Sequence, residues 1–378
     1  MTAIHLVVLN FNGRHLLEEC LPSVVRAADD SRHPCRVAVV DNSSTDDSLE
    51  LLGSEYPDIE LFHCANHGLC SYNDVLAKLD SPVVVLLNND IKLSALAIDP
   101  LVEPLLAEGP GAGGRCFMAA PLCRLFDGQT YEGLQSALRW RWGLIQAVSD
   151  YLGHERVMHR PCLTASAGAV MAVDRQTFLD LGGFDPLYLP GRLEDLDFAY
   201  RGYLAGYHAR YVPEALAYHK GEATFRQELG AARSQALAVR NTLLFHWKNL
   251  RHPWHVARHW ASLPVRLAWD WLRAPFAAGE RRFLFTRAVF QAVVRRWRHG
   301  PSQRPPRRSW RAERAFVRGF DWRNLKAEVV GWDQRACERR PTVNDVAIGG
   351  PALASSLVPP YAQCVASGTP TEAEREAA

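Results

Sequence analysis

The chain has 378 residues, of which 48% are hydrophobic and 22% charged, and its formal net charge is +2. That length supports one large domain or two modest ones with a substantial core, and the composition is that of an ordinary globular protein. A balance this close to neutral gives no whole-chain argument for nucleic acid, and none is expected as a partner.

The chain opens on a strand-like run, Ile4-His5-Leu6-Val7-Val8-Leu9. No basic segment or small-residue cleavage site surrounds it, so it does not read as a signal peptide. Residues 37–40 and 83–87 are short, β-branched-rich apolar runs, the mark of strands buried on both faces. Between them lie amphipathic stretches at 14–27, 48–55 and 72–78. Strand and helix alternating at this spacing imply βαβ units and a mainly parallel sheet. Residues 109–165 read as a less regular middle, rich in Gly, Arg and Trp. Then follow a strand at 167–173, a short helix at 174–181, a turn at Gly182-Gly183-Phe184-Asp185, a helix at 194–205 and a strand at 207–212. Two further helices are expected at 231–247 and 254–272. Beyond residue 300 the segment Pro-Ser-Gln-Arg-Pro-Pro-Arg-Arg reads as a linker, and 341–378 as a disordered tail. Nowhere do about 18 uninterrupted apolar residues occur, so no spanning helix is expected.

In parallel sheets ligands bind beyond the carboxyl ends of the strands. Three such ends are crowded with small polar side chains: Asn10-Phe11-Asn12-Gly13, Asp41-Asn42-Ser43-Ser44 and Asn88-Asn89-Asp90. Asp90 is suited to a hard divalent cation, since Mg²⁺ commonly shares its shell between one or two carboxylates and substrate phosphates. The competing reading is a simple polar turn. Thr45 or Asp46 serves as a helix N-cap, but Asp41 is not needed for that and offers an acceptor to the imide N–H of a pyrimidine. Glu194-Asp195-Leu196-Asp197 opens a helix. The helix dipole alone favours acids there, yet a carboxylate beside a diphosphate also suits a general base. Residues 194, 195 and 197 point in different directions, which leaves Glu194 and Asp195 as the candidates. His219, after a strand and a turn at Pro213, reads on its own as an ordinary surface or core histidine.

Taken together these segments resemble the family 2 glycosyltransferases, the inverting group with a GT-A fold. The resemblance covers about residues 3–250 and rests on eight segments in order. They are Val8 to Gly13, Val39 to Asp46, Asn66-His67-Gly68, Leu86 to Asp90, Gly168 to Met171, Gly182 to Asp185, Glu194 to Asp197, and Val212-Pro213 to His219. Asn-Asn-Asp, together with Arg240-Asn241 and Lys248-Asn249, is most similar to the rhamnosyltransferase- and galactofuranosyltransferase-like branch. The resemblance implies that Asn10 and Asn12 lie in the nucleotide pocket, that Asp41 contacts the base, and that Asn66 and Asn73 border the nucleotide or donor sugar. It places Asn89 and Asp90 at the metal–diphosphate position, with Asp90 as direct ligand and His219 completing the shell around Mn²⁺ or Mg²⁺. Asp195 matches the catalytic base and Glu194 orients the acceptor. Leu69-Cys70-Ser71-Tyr72 stands where relatives often carry glycines, a departure that bears on the donor-sugar contacts.

The implied reaction moves a sugar from a UDP- or dTDP-linked donor to a hydroxyl of a glycan, glycolipid or lipid-linked acceptor, as in cell-envelope polysaccharide synthesis. Two alternatives stand beside it. A nucleotidyltransferase making nucleotide sugars would need a Gly-rich phosphate loop, and Gly13 stands alone; a non-catalytic scaffold would not need Asp41, Asp90 and Asp195. Residues 251–340 form a separate Trp/Arg-rich helical extension, whose mixed aromatic and basic side chains suit an anionic membrane surface. The alternative is packing on the catalytic domain, with arginine stems covering apolar surface. Nine cysteines without a CxxC pair read as free thiols, and a cytoplasmic location at the inner face of the membrane is expected.

Overall fold

The N-terminal apolar run forms β1, Ile4–Asn10, whose residues are almost all buried. In the computed structural model, which describes residues 3–107, 115–221, 223–277, 279–299 and 310–323, it is followed by α1 (Arg14–Asp29), β2 (Cys35–Asp41), α2 (Ser48–Glu55), β3 (Glu60–His63), α3 (Ser71–Leu76) and β4 (Val83–Asn88). The strands pair in parallel in the order β3-β2-β1-β4, as right-handed βαβ units require. Their carboxyl ends therefore share one edge, with Asn10 in register with Asp41. All described residues belong to one compact unit. The expected linker at 301–308 and tail at 341–378 lie outside the described residues.

The middle of the chain is more regular than its composition suggests. After β5 (Ile91–Leu93) and α4 (Ile98–Leu106) comes β6, Cys116–Leu125, a ten-residue strand with eight buried positions. Then follow β7 (Tyr131–Gly133), the hairpin β8 (Ala137–Arg141) with β9 (Leu144–Val148), and β10 (Cys162–Leu163). The Gly, Arg and Trp that suggested irregularity fall largely in the turns and the hairpin. The apolar run from Phe117 to Leu122 forms a central strand, between β11 (Val170–Asp174) and β12 (His208–His219). β11 runs antiparallel to both β4 and β6 and so joins the two halves of the sheet.

Between β11 and β12 lie α5 (Arg175–Asp180), N-capped by Asp174, and α6 (Glu194–Ala205). β12 corrects a second expectation, because the strand does not stop at Pro213. It runs for twelve residues in all, His208 to His219, and a shift in its pairing with β6 between Val212 and Leu216 accommodates the proline, which cannot donate to a ladder. His219 is therefore the last residue of a strand, paired with Ile91 of β5.

The C-terminal helices are α7 (Ala223–Asn249, kinked at Gly230), α8 (Pro253–Arg273), α9 (Leu284–His299) and α10 (Trp310–Gly319). They share a core with the sheet domain: Leu244, Leu263, Phe285 and Phe316 pack with Leu187, Leu196 and Tyr200. The buried Glu313 of α10 accepts from the backbone N–H groups of Arg251 and His252 and pairs with His255, fastening α10 to the start of α8. Among the described residues no helix is long and apolar enough to cross a membrane, and the seven cysteines are all free.

Candidate active site

A cleft of about 910 Å³ opens at the carboxyl ends of β1, β2 and β4. Its near wall is braced by side chains that fasten these strand ends to one another. The buried Asn10 donates to Asp41 Oδ1 at 3.2 Å and accepts from Asn89 Nδ2 at 2.9 Å, tying three strands together. Asp41 Oδ2 accepts from the Ser44 N–H at 2.9 Å, and the His63 ring stands 3.5 Å away. Asn12, at a left-handed φ of 45°, accepts from the Thr45 N–H at 2.7 Å. Gly13 is required here, since a Cβ would come within 2.1 Å of Asn89 Nδ2.

Of the residues expected from sequence, Asn66, Asn89, Asp90, Glu194, Asp195 and His219 line this cleft, whereas Asn10, Asn12, Asp41 and Asn73 do not. Asp41 is fully buried with its oxygens committed as above, and the neighbouring Asn42 faces the cleft in its place. Strand alternation accounts for the exchange, because successive side chains point to opposite sides. Asn73 grips the Phe184 backbone from both sides, donating to its carbonyl at 2.9 Å and accepting from its N–H at 2.8 Å. Gly183, at φ +64°, leaves room for that grip, since a Cβ there would meet Asn73 Oδ1 at 2.2 Å.

At one end of the cleft His219 lies between two carboxylates. Its Nε2 is 3.1 Å from Asp90 Oδ2 and its Nδ1 is 2.5 Å from Glu132 Oε2. Burial alone would lower the imidazole pKa, but hydrogen bonds to Asp90 and Glu132 raise it to about 10. Asp90 Oδ1 is buried without a hydrogen-bond partner. So are Asn42 Oδ1 and Glu194 Oε1, and all three residues line the cleft. Buried polar atoms are seldom left unpaired, and several in one cavity mark a place built for a ligand. Among the described residues no three His, Cys, Asp or Glu side chains are grouped to hold a metal ion, so Asp90 and His219 offer at most two protein ligands.

The other acidic pair is delivered by a backbone held under constraint. Arg192 and Leu193 both adopt positive φ, 77° and 72°, immediately before α6. Such conformations cost of order 1–3 kcal/mol each in non-glycine residues and persist only where surrounding contacts impose them. Asn241 imposes them, its Nδ2 donating to the carbonyls of Tyr188, Gly191 and Arg192 at 2.7 to 2.9 Å. Beneath this loop lies a buried polar network. Lys248 donates to Asp185 at 2.6 Å and to Asp197 at 2.9 Å, while Asp197 also accepts from Tyr188, Asn249 and Arg201. Asp197 thus turns into the core, and Glu194 and Asp195 remain at the cleft.

Burial pushes the Glu194 carboxyl up to about 8 and raises that of Asp195 as well. Asp195 Oδ2 accepts from the Gly168 N–H at 3.0 Å, which fixes the carboxylate at the cleft wall. A half-buried carboxylate of raised basicity, open to the cleft, is the form a general base takes.

Residues 6–146 match the Glycosyl transferase family 2 model. That segment holds the braced strand ends, Asp90 and Glu132; Glu194, Asp195 and His219 follow it in the chain. No curated protein matches the sequence. Among solved structures, that of GalNAc-T7 with UDP, GalNAc and Mn²⁺ is similar with a TM-score of 0.53 and 17% identity, over 89% of this chain and 58% of that one. This chain therefore spans less than two thirds of that protein, and the likeness is one of fold; it bears out the expected GT-A architecture. Mannosyltransferase PcManGT from Pyrobaculum calidifontis, in complex with GDP-Man and Mn²⁺, has a TM-score of 0.42 and 17% identity, over 79% of this chain and 83% of that one.

Three features of this cleft were not assigned to it from the sequence. Asn42 was passed over beside Asp41, although strand alternation points to it. Glu132 lies in the segment read as irregular, and nothing local marks it. Arg240 and Arg295 line the cleft from α7 and α9, and only the tertiary fold brings them there.

Proposed function

We propose that the chain catalyses inverting transfer of a sugar from a nucleoside diphosphate sugar, UDP- or dTDP-linked, to a hydroxyl of a glycan, glycolipid or lipid-linked acceptor. The observation that carries this reading is the placement, on one cleft at the strand ends, of the unpaired oxygens of Asn42 and Asp90 together with Asp195. The family 2 match supports it, as does the UDP and Mn²⁺ in the structure of GalNAc-T7. The resemblance of Arg240-Asn241 and Lys248-Asn249 to the rhamnosyl- and galactofuranosyltransferase-like branch narrows the proposal to that branch.

In this reading Asn42 Oδ1 is the acceptor open to the base, while Asp41 shapes the pocket through Asn10 and Ser44. The unpaired Asp90 Oδ1 fits a Mn²⁺ or Mg²⁺ ion, which His219 Nε2 would join on losing the proton it shares with Asp90, the remaining positions falling to diphosphate oxygens. Such an ion supplies Lewis-acid stabilisation of the charge on the departing diphosphate. Glu132 on the far side of the ring sets the orientation of His219, an arrangement common behind metal-bound imidazoles. Asp195 takes the proton from the acceptor hydroxyl as its oxygen attacks the anomeric carbon. The bond from that carbon to the diphosphate oxygen breaks, and the nucleoside diphosphate leaves with the electron pair.

A thermal-shift screen of UDP, dTDP and GDP with Mn²⁺ tests the donor assignment. Stabilisation by a pyrimidine nucleotide that depends on Mn²⁺ is expected; no response to any of the three overturns it.

The acceptor side includes an anionic membrane surface. Residues 251–299 hold ten arginines against Asp270 and Glu280, and aromatic side chains there face solvent: Phe276 is 91% exposed, Trp297 84% and Trp254 68%. Exposed aromatics set among arginines favour a lipid headgroup layer. Flotation of the full chain with phosphatidylglycerol vesicles, compared with a Phe276→Ser/Trp297→Ser variant, tests this, and equal recovery refutes it.

A further inference from the structure

We propose that Arg240 and Arg295 form an anion site on the cleft wall beside Glu194, built to receive a phosphate-type oxyanion of a bound substrate. The inference rests on the transferase reading of the cleft and extends it to a second recognition point.

Both guanidinium groups line the cleft, Arg240 from α7 and Arg295 from α9. Their protein partners are neutral. Arg240 donates to the Leu189 carbonyl at 2.6 Å and to Asn241 Oδ1 at 2.9 Å; Arg295 donates to the Pro186 carbonyl at 2.5 Å, the Leu187 carbonyl at 3.2 Å and the His299 ring at 2.9 Å. Among the described residues neither forms an ion pair with a carboxylate. The contrast with the layer beneath is direct, where the buried Lys248 and Arg201 are matched to Asp185 and Asp197. Arg240 and Arg295 are half-buried at the cleft and, unlike Lys248 and Arg201, have only neutral partners.

Glu194, the acid that acts on Arg240, does not supply the missing charge. Burial holds Glu194 protonated up to about 8, so at neutral pH it contributes no full negative charge to its neighbours. Burial, and then the proximity of Arg295, lowers the Arg240 pKa to about 10, as expected of like charges drawn together out of water. Desolvated charge of this kind is costly until a counter-charge arrives. The planar guanidinium fork matches phosphate oxygens in two-point geometry. The carbonyl tethers hold both forks in place before any ligand binds, so little ordering cost remains to be met on binding. Two sources carry the required chemistry: the diphosphate of the donor, and a phosphate borne by the acceptor.

The test is titration calorimetry of the full chain with inorganic pyrophosphate, first without divalent metal and then with UDP and Mn²⁺ saturating. In the first arm Arg295→Gln should weaken pyrophosphate binding by about tenfold or more, the worth of one charge-assisted contact. Arg240→Gln gives an independent second reading. Binding that survives UDP and Mn²⁺ assigns the site to an acceptor phosphate; binding abolished by them assigns it to the donor diphosphate, and either result upholds the site. Absence of pyrophosphate binding to the wild-type chain overturns the proposal. So does equal affinity in the wild type and in whichever variant keeps the wild-type melting temperature. UDP binding with Mn²⁺ is read in the same experiment, so the anion site can fail while the donor assignment stands.

Discussion

His219 Nε2 lies 3.1 Å from Asp90 Oδ2 because β12 runs on through Pro213 and pairs its last residue with Ile91. Glu132 meets the opposite ring nitrogen and leaves the imidazole one orientation. If this is where the divalent ion binds, Glu132 acts through His219 rather than on the ion. Loss of such an outer partner typically costs about 10- to 100-fold in metal affinity. Glu132→Gln should therefore weaken Mn²⁺ binding in the presence of UDP by that factor, whereas Asp90→Ala should remove Mn²⁺-dependent UDP binding. Calorimetric Mn²⁺ titrations check both, and unchanged Mn²⁺ affinity in Asp90→Ala would sink the metal assignment.

Asp195 is the group placed to take the acceptor proton. General-base assistance is worth typically about 10²- to 10⁴-fold in rate. Asp195→Asn keeps the size of the side chain and an oxygen able to accept from the Gly168 N–H. Turnover should fall by that factor while UDP affinity holds within about twofold, since the nucleotide is gripped elsewhere. Full turnover in the variant, measured as UDP release with acceptor present, removes Asp195 from the mechanism.

The strand ends were legible in the sequence because buried parallel strands announce themselves as apolar runs and their carboxyl ends as small polar clusters. Asn10, Asp41 and Asn89 were found that way, but which side chain faces the cleft depends on pleat and register, and there Asn42 lines it while Asp41 is buried behind. The segment around Glu132 was misread because Gly, Arg and Trp in the hairpin outweighed the apolar run of β6. Asn241 and Lys248 were recognised only as a recurring pattern. Their physical role, clamping the 188–193 backbone and neutralising Asp185 and Asp197, lies in contacts about 50 residues or more distant in sequence. No local periodicity carries that information.

The Lys248 network is accordingly a question of stability. Burial alone would raise the Asp197 carboxyl, yet Lys248 and Arg201 bring it down to about 2. Its contribution is present above the ordinary carboxylate range and is lost as pH falls through the folded value. Lys248→Met leaves Asp185 and Asp197 buried with one cation removed, a change that costs about 3–5 kcal/mol in comparable sites. Urea denaturation at pH 7 should show a loss of that size, and the variant should unfold at a higher pH on acidification than the wild type. A loss below about 1 kcal/mol would place the network among surface-like pairs.

Glu194 has the opposite sign. Burial raises its carboxyl to about 8, so the folded chain keeps this proton to a higher pH than the unfolded chain does. Between the ordinary value of 4.5 and about 8 the native state binds more protons than the unfolded one, and stability declines as pH rises. The limiting slope for one such group is about 1.4 kcal/mol per pH unit, and it levels off above the folded value. Glu194→Gln keeps an uncharged donor in the same place and removes the titration. The variant should match the wild type in melting temperature near pH 5 and exceed it at pH 8.5. Because the wild-type carboxyl is already protonated at neutral pH, UDP affinity there should be little changed. Parallel melting profiles for the two proteins from pH 5 to 8.5 would mean that Glu194 is charged in the folded chain, and the Arg240–Arg295 wall would then have a counter-ion of its own.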